Sequence, residues 1–301
     1  MLPKLVSIII ATHNNKDCLK DCLNAVRRQG YKPIEVIVIL NDCNDTSVRL
    51  LETEFPGVRT IINKENLFFA CAQNQGIEIA RGEFILCLND DCVLDENFIS
   101  EAVRPFSFDE NIGMVSGKIL RRDSLTIDST GLFLGRSRRP IERGFNQRDT
   151  GRFQKAEYIY GVSGAAGFYR RRMLDEVKDA FGYFDSRFRM FYEDLDLCWR
   201  ANIKGWRGYY IPQAIAYHKR GGSVSPGKTG GPFPGTFYFV RLPLSLQLDL
   251  IKNRHLTMIK NDSLKGVFLN LPFTLAYELK LWAYLVIFRS PQLLKFFLKK
   301  P

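Results

Sequence analysis

Val6-Ser-Ile-Ile-Ile-Ala-Thr-His-Asn14 is an apolar, β-branched run that breaks abruptly into polar residues. Such a run reads as a buried strand, here Leu5 to Ile10, followed by a turn that offers polar groups. Outward from it the pattern alternates. Cys18, Leu19, Cys22, Leu23 and Val26 recur at helical spacing before Gln29-Gly30, so a helix follows and ends near the glycine. Ile34 to Leu40 is a second strand, Val48, Leu50 and Leu51 mark a second helix, and Val58 to Ile62 is a third strand. Phe69 to Ala80 is a third helix stopped by Gly82, and Phe84 to Leu88 is a buried fourth strand. Strands alternating with helices predict an α/β fold on a parallel sheet. In such sheets ligands bind beyond the carboxyl ends of the strands. Thr12-His-Asn-Asn15, Asn41-Asp-Cys-Asn-Asp45 and Asn89-Asp-Asp91 all follow predicted strands, so a polar crevice is expected at that edge.

The length of 301 residues suits one large α/β domain with an appendage, or two domains. Lys and Arg outnumber Asp and Glu by 43 to 32, a formal charge of +11, which favours partners that carry phosphate: nucleic acid, an anionic membrane surface or a nucleotide diphosphate. The seven cysteines are scattered and form no Cys-x-x-Cys pair, which argues for reduced thiols in a cytosolic setting rather than disulfides or structural zinc. Met1-Leu-Pro-Lys4 runs straight into the first strand with no leader pattern. The sequons at Asn44 and Asn261 are then coincidental.

From about Gly113 to Tyr160 the pattern is less regular. Arg136 to Arg143 is a basic stretch that reads either as a solvated loop or as a loop near the acceptor. Gly161-Val-Ser-Gly-Ala-Ala-Gly167 permits close backbone approach, and Arg170 to Arg172 open a short helix. After about Phe237 the character changes. Leu269 to Phe288 is apolar but contains Pro272, Glu278 and Lys280, a poor spanning helix. An amphipathic helix in the membrane interface fits better, helped by Lys295, Lys299 and Lys300; a helical pair packed on the main domain is the alternative.

Asn89-Asp-Asp91 sets carboxylates at a strand tip, where desolvation is costly unless a cation or donor meets them. A divalent ion chelated by a diphosphate is the natural partner; simple loop solvation is the plainer reading, with Asp95 capping the next helix. Phe191-Tyr-Glu-Asp194-Leu-Asp-Leu-Cys-Trp-Arg200 places three acids at a helix start. The helix dipole and an i,i+4 pair with Arg200 account for Asp196. Aromatic residues crowd Glu193 and Asp194, and a partly buried carboxylate there is a candidate general base. Of the three histidines, at 13, 218 and 255, His218 ends Ile215-Ala-Tyr-His218 beside Lys219-Arg-Gly-Gly222, as a candidate metal ligand or a structural residue. Gly222-Ser-Val-Ser-Pro-Gly-Lys-Thr229 fits the Walker A expression, yet Gly230-Gly-Pro-Phe-Pro-Gly235 cannot start the helix which that motif requires. The match is discarded.

In this order the segments resemble glycosyltransferase family 2, the inverting enzymes of the GT-A fold, in particular its bacterial rhamnosyltransferase-like members. The likeness is carried by Val6 to Asn14, Asn66 to Gly76, Leu88 to Asp91, Gly182-Tyr-Phe-Asp185 with Glu193 to Arg200, and Gly205-Trp206 through His218. It implies a GT-A type nucleotide-diphospho-sugar transferase fold, a Rossmann-like mixed sheet flanked by helices, with a C-terminal helical extension. Residues 1–236 would form the transferase domain, its nucleotide-binding part ending at about 117, and 237–301 the membrane-associated extension. By resemblance, Ala11, Thr12, His13, Asn14, Asn41, Asp42, Asn66, Asn89 and Asp90 would surround the nucleotide sugar. Asp91 and His218 would hold Mn2+ or Mg2+, and Asp194, with Glu193 beside it, would be the base.

The chain departs from the family pattern in three places. Ala11-Thr-His-Asn14 replaces Pro-Thr-Tyr-Asn, the second loop is shortened so that either Asn41 or Asp42 meets the nucleobase, and Asn89 replaces the first acid of the D-x-D-type motif. The Gln-x-x-Arg-Trp of processive synthases does not follow Asp194, implying one sugar per binding event. The expected reaction is single displacement of a sugar, rhamnose by the resemblance, from a dTDP- or UDP-sugar to a glycan or lipid-linked acceptor at the cytoplasmic face of the cell membrane. One rival is a nucleotidyltransferase, which would want a Gly-rich cationic loop in place of Thr12-His-Asn-Asn15. Another is a non-catalytic, membrane-associated carbohydrate-binding protein, which Asn89 would suit. Nucleic-acid binding is disfavoured because the positive charge is dispersed and no recognised motif accompanies it.

Overall fold

The computed structural model describes residues 3–220, 239–240 and 242–298. The first half runs β1 (Val6–Thr12), α1 (Lys16–Arg27), β2 (Ile34–Asn41), α2 (Ser47–Glu54), β3 (Arg59–Asn63), α3 (Phe68–Ile79), β4 (Phe84–Asn89), β5 (Cys92–Leu94), α4 (Phe98–Val103) and β6 (Ile112–Arg121). The second half runs β7 (Ile127–Ser129), β8 (Leu132–Leu134), β9 (Pro140–Glu142), β10 (Glu157–Ile159), β11 (Ala166–Arg170), α5 (Arg171–Val177), α6 (Glu193–Ile203), β12 (Arg207–His218), α7 (Leu244–Asn261) and α8 (Leu264–Leu298).

Among the described residues one mixed sheet has the order β10-β12-β6-β11-β4-β1-β2-β3, with β5 on β12 and β7 on β6. β1 pairs in parallel with β2 and β4 at the centre. Its side chains alternate between two cores, as the pleat requires. Val6, Ile8 and Ile10 pack with Leu19, Cys22 and Leu23 of α1, and Ile9 packs on the other face with Ala70, Ala72 and Ile77 of α3. Gly76 allows that second contact, since a Cβ there would lie 2.3 Å from Ile9 Cγ2.

β11 runs antiparallel between β4 and β6, which makes the sheet mixed and continuous. The expected division near 117 therefore falls inside β6. The expected boundary near 237 likewise precedes an integral element: α7 packs on α6, and its Gln247, Asn253, Arg254 and Thr257 are fully buried. Helix α8 runs through Pro272 and Pro291 as one 35-residue helix, and its Leu264–Leu294 portion is long and apolar enough to cross a membrane. One side packs on α7 through Leu281 and Leu285, with Glu278 meeting Arg254 at 2.7 Å. The basic stretch at 136–143 is a hairpin turn and strand rather than an open loop: Arg138 bonds Asp262 twice, at 2.6 and 2.8 Å, and Arg136 lies 3.8 Å above the Phe273 ring of α8. The discarded Walker-like segment and Lys299 and Lys300 lie outside the described residues, as does the side chain of Lys295.

Candidate active site

The carboxyl ends of β1, β2 and β4 are cross-linked by the polar residues that follow them. Thr12 Oγ1 donates to Asp90 Oδ2 at 2.6 Å, and His13 Nδ1 lies 2.6 Å from Asn41 O. Asn14 Nδ2 donates to Asp42 O at 3.3 Å, and its Oδ1 accepts from Asn44 N at 2.7 Å. Asn14 and Asp42 both have φ of 50°, a left-handed backbone that short polar side chains tolerate. Asn41 is buried, and its Oδ1 accepts from Asn63 Nδ2 at 2.8 Å, while Asp42 is only half-buried. Asn66 starts α3 by accepting from Phe68 N at 2.9 Å, and Ala11 lies half-buried against the core below. Asp95 accepts from Asn97 N at 3.2 Å in the turn before α4. Asn97 itself holds the cap position.

Strand pairing brings Asp91 and His218 together. His218 stands opposite Cys92 in the antiparallel β5–β12 ladder, one residue from Asp91, and its Nε2 is 3.0 Å from Asp91 Oδ1. Asn89 Nδ2 is 3.5 Å away from the same nitrogen. The other ring nitrogen, Nδ1, is 2.8 Å from Asp128 Oδ2, and Asp128 also pairs with Arg220. Burial opposes charging of His218, but its bonds to Asp128 and Asp91 outweigh that and push it up to about 9. Burial raises Asp90 to about 6, against the Thr12 hydrogen bond and with the help of the Asp91 charge.

With the Nε2 proton of His218 displaced, as metal binding requires, the donors fit a divalent cation: a carboxylate, an imidazole and a nearby amide, with the imidazole oriented by a second carboxylate. Among the described residues no three His, Cys, Asp or Glu side chains form a closed cage. The rest of such an ion's shell would then come from water and a diphosphate.

Glu193 and Asp194 open α6. Asp194 Oδ2 accepts from Gly164 N at 3.1 Å and Oδ1 from Leu195 N at 2.7 Å. Burial pushes its carboxyl above the ordinary range despite those bonds. Burial and the Asp194 charge likewise raise Glu193, whose Oε2 is buried without a partner among the described residues. Just before them, Phe191 and Tyr192 have φ of 72° and 74°. Left-handed backbone at such residues costs on the order of 1–3 kcal/mol each and persists only where surroundings enforce it.

Two site residues escaped the reading of the sequence. Asp128 orients His218, and Glu142 accepts from Ser163 Oγ at 3.0 Å and from Ser129 Oγ. Burial raises Glu142 to about 7, although Arg220 opposes it. Both acids sit in three-residue strands, too short to show a period, and each has a polar neighbour, in Ile127-Asp-Ser129 and Ile141-Glu-Arg143, so neither stands out.

The profile described as Glycosyl transferase family 2 matches residues 7–178. A poly-beta-1,6-N-acetyl-D-glucosamine synthase of Staphylococcus aureus is 24% identical over 218 residues, covering 70% of this chain and 49% of that protein. The chain thus spans about half the length of the curated relatives it matches. Among solved structures, S. aureus TarS 1-349 in complex with UDP-GlcNAc superposes with a TM-score of 0.57 at 13% identity, covering 86% of this chain and 67% of that one. The mannosyltransferase PcManGT from Pyrobaculum calidifontis, in complex with GDP-Man and Mn2+, gives 0.53 at 18% identity, covering 95% and 86%. These likenesses support the GT-A fold.

Proposed function

The chain belongs to glycosyl transferase family 2, and on that premise we propose that it is an inverting, non-processive glycosyltransferase with a nucleotide-diphosphate sugar donor and Asp194 as base. One relationship carries the reading. The adjacent residues Gly164 and Ala165 join the two halves of the site: Gly164 N donates to Asp194, and Ala165 O accepts from Asn89 N at 3.0 Å. The strand end that would meet the diphosphate is thus fixed relative to the base.

In the proposed reaction Asp194 takes the proton of an acceptor hydroxyl as that oxygen attacks the anomeric carbon. Inversion follows because no enzyme nucleophile intervenes. Asp91 and His218 would hold a divalent ion, which would supply Lewis-acid neutralisation of charge on the departing diphosphate. The mixed carboxylate and imidazole donors favour Mn2+ over Mg2+, and PcManGT carries Mn2+. Asp42 is half-buried while Asn41 is buried, so of the two Asp42 would meet the nucleobase. Thr12, His13, Asn14, Asn89 and Asp90 would line the donor side, with Ala11 and Asn66 beside them.

The exposed side of α8 presents Phe268, Leu269, Leu275, Leu279, Val286 and Phe288, flanked by the exposed cations Arg136, Lys265 and Lys280. We read it as lying in an anionic membrane interface on the cytoplasmic side, where a glycan or lipid-linked acceptor would be met.

The deciding experiment is a thermal-shift and product screen with dTDP-rhamnose, UDP-N-acetylglucosamine and GDP-mannose, with and without Mn2+. A bound donor raises the melting temperature, and turnover releases nucleoside diphosphate. Pyrophosphate release from a nucleoside triphosphate and a sugar 1-phosphate, offered in place of the nucleotide sugars, would support a nucleotidyltransferase instead, and binding without turnover a carbohydrate-binding protein.

A further inference from the structure

Helix α7 lies outside the family-matched segment, yet it grips the residues that present the base. Phe191 and Tyr192 are consecutive aromatic residues with left-handed backbone, which L side chains adopt only under constraint. Asn253 supplies one. Its Nδ2 donates to Met190 O at 2.9 Å and to Phe191 O at 3.0 Å, so both amide hydrogens hold the entry to the turn. The side chain is fully buried, and its Oδ1 has no partner among the described residues. An apolar residue would avoid that unsatisfied acceptor, so packing alone does not explain an asparagine here. Beyond the turn Tyr192 packs with Phe188, Leu195, Leu250 and Leu256. Tyr192 O then accepts from Asp196 N at 2.8 Å, and α6 begins with Glu193 and Asp194.

We infer that Asn253 is a positioning residue for Asp194: by holding the Met190 and Phe191 carbonyls it fixes the left-handed turn and so the direction in which the carboxylate enters the crevice. The inference rests on the assignment of Asp194 as base.

Asn253→Leu keeps the size and removes the donor. In the full chain, exchange of the amides from Tyr192 to Leu195 should quicken while β1 and β4 stay protected. Transfer kcat should fall by about tenfold or more with donor KM within about twofold, because misplacing a reacting group costs turnover rather than donor binding. Adding Phe191→Gly, which adopts the left-handed backbone without strain, should restore part of the lost kcat; a packing defect would not respond. If the leucine variant does not fold, Asn253→Ser, which keeps one donor, should show the same changes to a smaller degree. Unchanged exchange at 192–195 with kcat within about twofold of wild type overturns the inference, as does a loss that Phe191→Gly leaves untouched. Wild-type protein that transfers no sugar would overturn the proposed activity instead, and the exchange comparison would still decide whether Asn253 holds the turn.

Discussion

Asp128 accepts the Nδ1–H of His218 at 2.8 Å and so commits the opposite ring nitrogen to Asp91. Burial opposes ionisation of Asp128, but the His218 and Arg220 contacts hold its carboxyl below the ordinary range. A carboxylate behind a metal-binding imidazole fixes its orientation, and its loss commonly costs about 10- to 100-fold in metal affinity or activity. Asp128→Asn should therefore raise the Mn2+ concentration needed for half-maximal activity by about tenfold or more. His218→Ala and Asp91→Ala should each weaken Mn2+-supported donor binding, and the double variant should be little worse than either, as expected of two residues acting through one ion. Additive losses would separate them.

Lys260 ties α7 to α6. Its Nζ reaches Asp185 at 2.5 Å and Asp196 at 3.1 Å, both fully buried, while Asn261 Nδ2 donates to Asp196 Oδ1 at 2.8 Å. Breaking a buried ion pair costs about 3–5 kcal/mol when the charge left behind has no other partner. Here Asp185 keeps Arg187 and Asp196 keeps Arg200, so the cost is that of lost charge-assisted hydrogen bonds, about 1.5–3 kcal/mol. Lys260→Met should lose stability of that order in urea denaturation near neutral pH. Burial opposes it, but Arg187 and Lys260 hold the Asp185 carboxyl well below the usual range. With a depressed folded-state value, the stabilisation is present above the unfolded carboxylate pKa and fades as pH falls through the folded one. The gap between Lys260→Met and wild type should accordingly narrow in strong acid. A neutral-pH loss below about 1 kcal/mol would class the contact with solvent-exposed pairs.

The acid limb of the pH–rate profile reports the base. Because burial raises Asp194, activity should begin to fall with decreasing pH while an ordinary aspartate, near pKa 3.9, is still ionised. A limb at or below that ordinary value would place the proton acceptor elsewhere.

The sheet's central strands and their helices are legible because β1, β2 and β4 are apolar runs and α1 and α3 carry helical spacing; the sequence predicts β1 at Leu5 to Ile10, and it spans Val6–Thr12. Asp91 and His218 became partners through family resemblance alone, since the β5–β12 register that joins them is tertiary. The role of α7 was hidden for a different reason. Its apolar Leu244, Leu248 and Ile251 face α8, whereas the residues it buries include Gln247, Asn253, Arg254, Thr257 and Asn261, so no apolar stripe marks its contact with α6. Polar grip on a neighbouring helix leaves little trace in hydrophobic periodicity.

Membrane contact is tested on the exposed side of α8. Leu269→Glu with Val286→Glu adds charge to positions that are 61% and 59% exposed, so folding should be unaffected. Wild type should sediment with vesicles rich in phosphatidylserine and the double variant should not. Equal sedimentation, or none by either protein, would assign that side to contacts other than lipid.

Asp194→Asn tests the central claim most directly. The amide keeps the shape of the side chain but cannot take up the acceptor proton. Measured beside wild type with the same donor and Mn2+, transfer should fall by about a hundredfold or more while the donor Kd stays within about twofold. Transfer at more than about a tenth of the wild-type rate would contradict the assignment of Asp194 as the base.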